Sequence, residues 1–227
     1  MEALSPPSVH ELLPELAAQH HGAILCRATA QVHVPSLLDT LVLACQRAGV
    51  QLCFNTPLTT LPAEVATLVT AGAWTSKLLP ELSITPAKGQ GVALRRPMGF
   101  RLAHIVKSGP TYIVPWEEEL LVGSTTEPEA GFDEAPTAVA REDLLSRAAA
   151  LFPELAHAQV LRHFAGLRPD APSHRPLMGA LPNRPNTYIA AGHFKTGVAL
   201  APLVSKLMTT LILDRTLPPE LAPFIPA

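Results

Sequence analysis

The sequence predicts an α+β protein, and three observations carry the prediction. Strand-to-helix patterns occupy both ends, over 1–85 and 166–227, and the stretch between them, 86–165, is rich in β-branched and aromatic runs separated by turn residues. The 24 prolines in 227 residues, more than twice the roughly 5% average, are spread along the chain instead of forming one tract. Many short elements follow from that spacing.

Near the N-terminus, Ser8 with Glu11 three residues on has capping-box spacing, and Leu12, Leu13 and Leu16 share one face, so a short helix is expected within 6–20. The run "GAILCRATAQVHV" is strand-like. In "PSLLDTLVLACQRAGV" a proline opens a helix, Leu37, Leu38, Leu41, Val42 and Ala44 give it an apolar stripe, and Gly49 stops it. "QLCFN" follows as an expected strand, completing a strand-helix-strand order.

"EVATLVTAGAWTSKLLPEL" reads as a strand, a small-residue turn at Ala71-Gly72-Ala73, and a helical stretch. Such a turn lets backbone N–H groups approach a phosphate, and it equally suits a close crossing of helix on strand. From 86 onward the strands "GQGVALRR", "FRLAHIV", "TYIVPW" and "ELLVGSTT" predict an antiparallel sheet. Helix returns over "REDLLSRAAALFPEL", with Leu144, Leu145, Ala148 and Leu151 on one stripe, and "AQVLRHFAGLRPDAPSHRPLMGALP" reads as a strand running into a Pro-rich loop. Finally "YIAA" is a buried strand that leads through Gly-His-Phe-Lys-Thr-Gly into the apolar helix "VALAPLVSKLMTTLIL".

With 48% apolar residues the chain can bury a core. Net charge is −2 and the 17 basic residues are scattered, so neither nucleic acid nor an anionic membrane surface is expected as a partner. No apolar run reaches the ~18 residues of a membrane span, the longest candidate being broken by Lys206. Cys26, Cys45 and Cys53 have no metal-binding spacing and read as small core residues, and no metal site is predicted. The odd cysteine count and an N-terminal stretch unlike a secretion signal point to the cytoplasm.

Candidate chemistry gathers at three places. Arg168 follows an apolar strand in a partly buried position, where its planar fork suits a carboxylate, either of a ligand or of Asp170 or another internal acid. Tyr112 offers a hydroxyl to an anion or simply packs as a half-buried strand residue. His193 and Lys195 stand at a strand-to-helix turn, where helix N–H groups favour an electron-rich partner, although a solvated, glycine-capped turn fits the same pattern. There is no G-x-S-x-G, H-E-x-x-H or P-loop.

Four stretches taken together, "TAGAW" with "ITPAKGQ", "TYIVP…LLVGSTTE", "AGLRPDAPSHRPLMGALP" and "YIAAGHFKTGVALAP", resemble in order and spacing the FAD-dependent oxidoreductases of the D-amino-acid oxidase superfamily, the glycine oxidases above all. The resemblance implies an α/β part of an FAD-binding domain over 1–85 and 166–227, with an antiparallel-sheet substrate domain over 86–165. It implies FAD contacts from Leu58, Ala71, Gly72 and Gly89, and from Gly192, His193, Phe194, Lys195, Thr196, Gly197 and Val198. Arg168 and Tyr112 become the catalytic pair that grips the substrate carboxylate, with Thr126 and Lys195 assisting. Where glycine oxidases have arginine this chain has Lys195, which supplies charge without the bidentate fork.

The implied reaction is hydride transfer from the Cα of a small amino acid or secondary amine (glycine, sarcosine or a D-amino acid) to the flavin, giving an imine that hydrolyses. The family's G-x-G-x-x-G unit is not found, so the chain resembles the C-terminal part of such an oxidase. Three expectations follow: a truncated enzyme, a subunit whose partner brings the N-terminal dinucleotide-binding half, or a non-enzymatic remnant. Exposed apolar strands in "ILCRA", "LCF" and "ATLVTA" would favour a partner subunit or a homo-oligomer.

Overall fold

An inner strand of an antiparallel sheet, bearing two glycines, positions the candidate site. The structure, a computed structural model, describes residues 1–17, 20–62 and 64–226. It divides into two units, Met1–Leu58 and Thr59–Ala227.

In the first unit β1 (Glu2–Leu4) pairs antiparallel with β2 (Ala23–Leu25), and the helices are α1 (Pro6–Leu12) and α2 (Val34–Arg47). The expected cap at Ser8 is corrected: Ser5 caps α1, accepting from the Ser8 N–H. Pro6 and Pro7 explain the shift, because the first helical turn tolerates residues without an N–H. The last positions of the helix expected over 6–20 include Ala18 and Gln19, which lie outside the described residues.

α2 stops as expected, with Gly49 just past its end at φ +75°. The strand expected at "QLCFN" is not formed: residues 51–55 are turn and irregular backbone, with Cys53 and Phe54 exposed. The cysteines are corrected too, since Cys26 and Cys53 are exposed and Cys45 is half-buried. The physical reason is shared: β2 keeps Ile24 at the surface and α2 buries no residue, so this unit offers them little interior.

In the second unit β3 (Thr67–Val69) leads through a 3₁₀ turn (Gly72–Trp74) into α3 (Thr75–Leu78). Next come β4 (Thr85–Arg95), β5 (Val106–Ser108), β6 (Thr111–Trp116), β7 (Glu119–Gly123), α4 (Ala138–Leu151), β8 (Val160–Asp170), β9 (Leu177–Ala180), β10 (Thr187–Ala191) and α5 (Gly197–Leu213). The predicted α+β class is the observed one.

Two sheets result. The antiparallel one has the order β5-β6-β7-β4-β8, and the other has the order β3-β10-β9, with β3 and β10 parallel. On β4 the even positions Val92 and Leu94 join Ile113, Leu120 and Val122 in a core beneath α4, whose Ala140, Leu144 and Ala148 are buried. The period of two then sends the odd positions of β4 to the opposite face.

β10 divides the second sheet's core in the same way. Ile189 and Ala191 pack with Val69, Leu79 and Ile84, while Tyr188 packs with Val204, Met208 and Leu211, largely from α5.

"FRLAHIV" enters the sheet only at Val106, because Phe100 turns into the core edge-on to Phe152, with ring centroids 5.4 Å apart. The expected Pro-rich loop holds β9, which forms a hairpin with β10 and whose pattern Pro176, Gly179 and Pro182 conceal.

Candidate functional site

Three glycines clear one face of the antiparallel sheet. Gly91 and Gly123 are direct ladder partners on β4 and β7, and Gly89 follows two positions away on β4. A Cβ at Gly91 would come 2.8 Å from the Phe164 ring, and one at Gly123 would come 2.2 Å from the ring of Tyr112, its partner across β6 and β7. The guanidinium of Arg168 covers Gly89 in the same manner. Large side chains therefore lie flat where the sheet has none of its own.

The Arg168 fork is held by neutral acceptors. Nη1 donates to the Thr125 carbonyl at 3.1 Å and Nη2 to Ser124 Oγ at 2.9 Å. Asp170, the internal acid considered for it, instead meets His174 Nδ1 at 2.6 Å. Lys195 converges on the same segment from another element, its Nζ donating to Thr126 Oγ1 at 3.2 Å and standing 4.9 Å from the Phe194 ring centre.

The turn bearing Lys195 is fixed to the end of β8. The Phe194 N–H donates to the Pro169 carbonyl at 2.8 Å, Asp170 and His193 form a bridge, and the Phe194 ring stacks on His174 at 4.7 Å. Phe194 has φ +48° and Gly192 φ +78°, the left-handed backbone by which β10 turns sharply into α5. A Cβ at Gly192 would meet that of Ala171 at 2.7 Å, so glycine is also required sterically.

His193 Nε2 is buried with no hydrogen-bond partner, and burial lowers its pKa below the ordinary 6.5. Thr196 uses its hydroxyl on the His193 carbonyl and caps no N–H of α5, leaving the first-turn donors uncapped by a side chain.

These groups enclose a cavity of about 530 Å³ at the carboxyl ends of the parallel strands β3 and β10. Tyr112 and Arg168 line it from the antiparallel sheet, Gly72 from the turn after β3, and His193, Phe194, Lys195, Gly197 and Val198 from the turn into α5. Both lysine and arginine are present in the lining, and no acidic side chain is. The position is the one at which open α/β sheets bind ligands, and the uncapped helix end and unpartnered histidine suit an electron-rich group.

Of the other expected residues, Gly89 lies under Arg168, Thr126 bonds Lys195, and Gly192 and Thr196 shape the turn. Ala71 precedes the 3₁₀ turn, while Leu58 is exposed and ends the first unit. Ser124 and Thr125, the groups that hold Arg168, were not expected. The only signal for them is the small polar run "GSTT" at a strand end. Among the described residues no group of three or more potential metal ligands is gathered, and no helix is long and apolar enough to cross a membrane.

Comparison defines the class of protein to which this fold belongs: residues 1–211 match the FAD dependent oxidoreductase family, so the chain belongs to that family, whose cofactor is FAD. Within it the chain is similar to glycine oxidases. It is 38% identical to that of Pseudomonas aeruginosa over 165 residues, covering 70% of this chain and 45% of the relative. With the glycine oxidase of Geobacillus kaustophilus it shares 31% identity over 236 residues, covering 94% of this chain and 62% of the relative. The crystal structure of glycine oxidase from G. kaustophilus superposes with a TM-score of 0.91 at 30% identity, covering 99% of this chain and 66% of that one. The chain thus spans about half to two thirds of the length of the relatives it matches.

Proposed function

We propose that this chain carries the carboxylate-binding and flavin-facing part of an oxidase of small amino acids or secondary amines, such as glycine, sarcosine or a D-amino acid. The observation that carries the reading is the Arg168 fork, held by neutral groups in a cavity whose lining has two cations and no acid. A guanidinium has five N–H donors. Ser124 and Thr125 take two of them, and donors remain for a substrate carboxylate. The Tyr112 hydroxyl adds a neutral contact, and Lys195 and Thr126 add charge and polarity on the same side.

The turn from Gly192 to Val198 is proposed to face the electron-rich pyrimidine end of FAD, with Gly72 beside the pyrophosphate and Ala71, Gly89 and Leu58 as further contacts. The α5 N-terminus supplies a positive dipole end, and neutral, unpartnered His193 adds a polar nitrogen without like charge. Bound FAD would supply the two-electron acceptor for hydride leaving the substrate Cα. The chain's own task is to hold the carboxylate and orient that carbon, and it requires no side-chain base.

On this reading 1–85 and 166–227 serve the FAD-binding part and 86–165 the substrate part. A dinucleotide-binding half, on the same protein or on a partner subunit, is proposed to complete the FAD contacts, in keeping with the partial coverage of the relatives.

Oxidation of glycine, sarcosine and D-alanine by the FAD-supplied protein tests the reading. Arg168→Ala is expected to lower kcat/KM by roughly 2–5 kcal/mol, the scale of a desolvated charge losing its partner. Equal kcat/KM for both proteins would overturn the assignment.

A further inference from the structure

Arg168 is held by a segment that is itself held from the far side of the sheet. On β4, Lys88 and Gln90 point away from Gly89 and are each 1% exposed. Beyond β7, the chain runs back along β4: the Lys88 and Glu127 backbones exchange N–H···O bonds at 3.1 and 2.8 Å, and the Thr125 N–H donates to the Gln90 carbonyl at 3.2 Å.

Side chains complete this attachment. Gln90 Nε2 donates to both Glu127 carboxylate oxygens, at 2.9 and 3.1 Å, and also lies 3.2 Å from Thr137 Oγ1. Gln90 Oε1 accepts the Thr137 N–H at 2.8 Å, at the start of α4. The Thr125 hydroxyl accepts the Gln90 backbone N–H at 2.9 Å and donates to Glu127.

Every polar atom of the buried Gln90 amide is therefore used, and the polar contacts meet at Thr125 and Glu127. From Thr125 the path is direct: its carbonyl accepts from Arg168, the preceding Ser124 hydroxyl accepts from the same fork, and the following Thr126 hydroxyl accepts from Lys195. One three-residue segment thus positions both cavity cations, and the Gln90–Glu127 pair anchors that segment.

We propose that Gln90 and Glu127 are a positioning pair for substrate binding: they act through Thr125 to hold the Arg168 guanidinium at the angle that receives a carboxylate. The inference rests on the reading of Arg168 as the carboxylate anchor. Glu127→Gln keeps the oxygen that Gln90 and Thr125 share but places an amide donor where the second oxygen accepts from Gln90 at 3.1 Å, and the donor-against-donor contact pushes that shared oxygen off the Thr125 hydroxyl. The combined exchange Gln90→Glu with Glu127→Gln restores a carboxylate facing an amide.

The experiment is calorimetric titration of the full FAD-supplied chain with glycine, alongside KM and kcat and a melting curve. Glu127→Gln is expected to weaken glycine binding roughly tenfold and raise KM to match while kcat holds, with the exchange recovering most of the loss. If Glu127→Gln fails to fold, Thr125→Val, which deletes only the bridging hydroxyl and keeps the carbonyl on Arg168, carries the same expectation.

Unchanged glycine affinity in these variants, with binding lost in Arg168→Ala, overturns the positioning role and leaves the Arg168 reading intact. Unchanged affinity in Arg168→Ala overturns both. A lowered melting temperature with no change of affinity, or a loss that the exchange does not recover, reduces the pair to a structural one and overturns the inference.

Discussion

Gly89 lies directly beneath the guanidinium of Arg168: a Cβ at position 89 would stand 2.0 Å from Nη1 and 2.3 Å from Cζ. The two residues come from adjacent strands, and the absence of one side chain makes room for the other. Gly89→Ala is expected to displace the Arg168 fork from Ser124 and Thr125. Glycine binding and kcat/KM should then fall about as far as in Arg168→Ala, with the chain still folded. The comparison needs the affinities of both variants and the far-UV circular dichroism of each. Full glycine affinity in Gly89→Ala would show that the fork has another place to lie.

Lys88 is buried yet charged, and its Nζ meets Asp133 Oδ2 at 2.8 Å. A buried ammonium without its partner costs more than an apolar side chain of similar length in the same place. Asp133→Ala is therefore expected to lower the melting temperature more than Lys88→Met does. The Lys88 hydrogen bond also holds the Asp133 carboxyl below its ordinary 3.8. The stability linked to this group is present above that value and is lost as pH falls through the lower folded-state value. Melting curves between pH 2 and 6 should show a shallower acid loss in Lys88→Met than in the parent chain.

Much of this was legible in the sequence because the relevant signals are local. The Gly-bounded turn "GHFKTG" between an apolar strand and an apolar helix marked the cavity wall, and "GLRPD" marked the cation, since a charged fork in an apolar strand needs a partner. The support for Arg168 was not legible. Ser124 and Thr125 reach it across 44 and 43 positions of chain, and Gln90 reaches Glu127 across 37, distances over which periodicity says nothing. β9 was hidden for a different reason: its partner β10 is one turn away, but Pro176, Gly179 and Pro182 break its alternating pattern. The failed strand at 51–55 shows the converse: β-propensity in "QLCFN" forms no strand unless a neighbouring ladder takes up its backbone groups.

Burial holds His193 below its ordinary 6.5, so the folded chain keeps it neutral where the unfolded chain begins to take a proton. Its contribution to stability is complete above about pH 6.5 and is lost as pH falls toward the folded-state value. His193→Gln should flatten the melting temperature between pH 7 and 5. His163, also lowered, first by burial and then by Arg141, requires His163→Gln as the parallel control. In a proton NMR titration, a His193 midpoint at or above 6.5 would contradict its burial at the cavity wall.

The central claim is that one cavity takes both the flavin's electron-rich end and a carboxylate on Arg168. It is tested most directly by the visible difference spectrum of FAD, in the region of roughly 450 nm, as the chain and then glycine are added. The account predicts a perturbation of the flavin band on adding the chain and a second, saturable one on adding glycine, the second missing in Arg168→Ala. A flavin band unmoved by the chain, or a glycine response that Arg168→Ala retains in full, would contradict it.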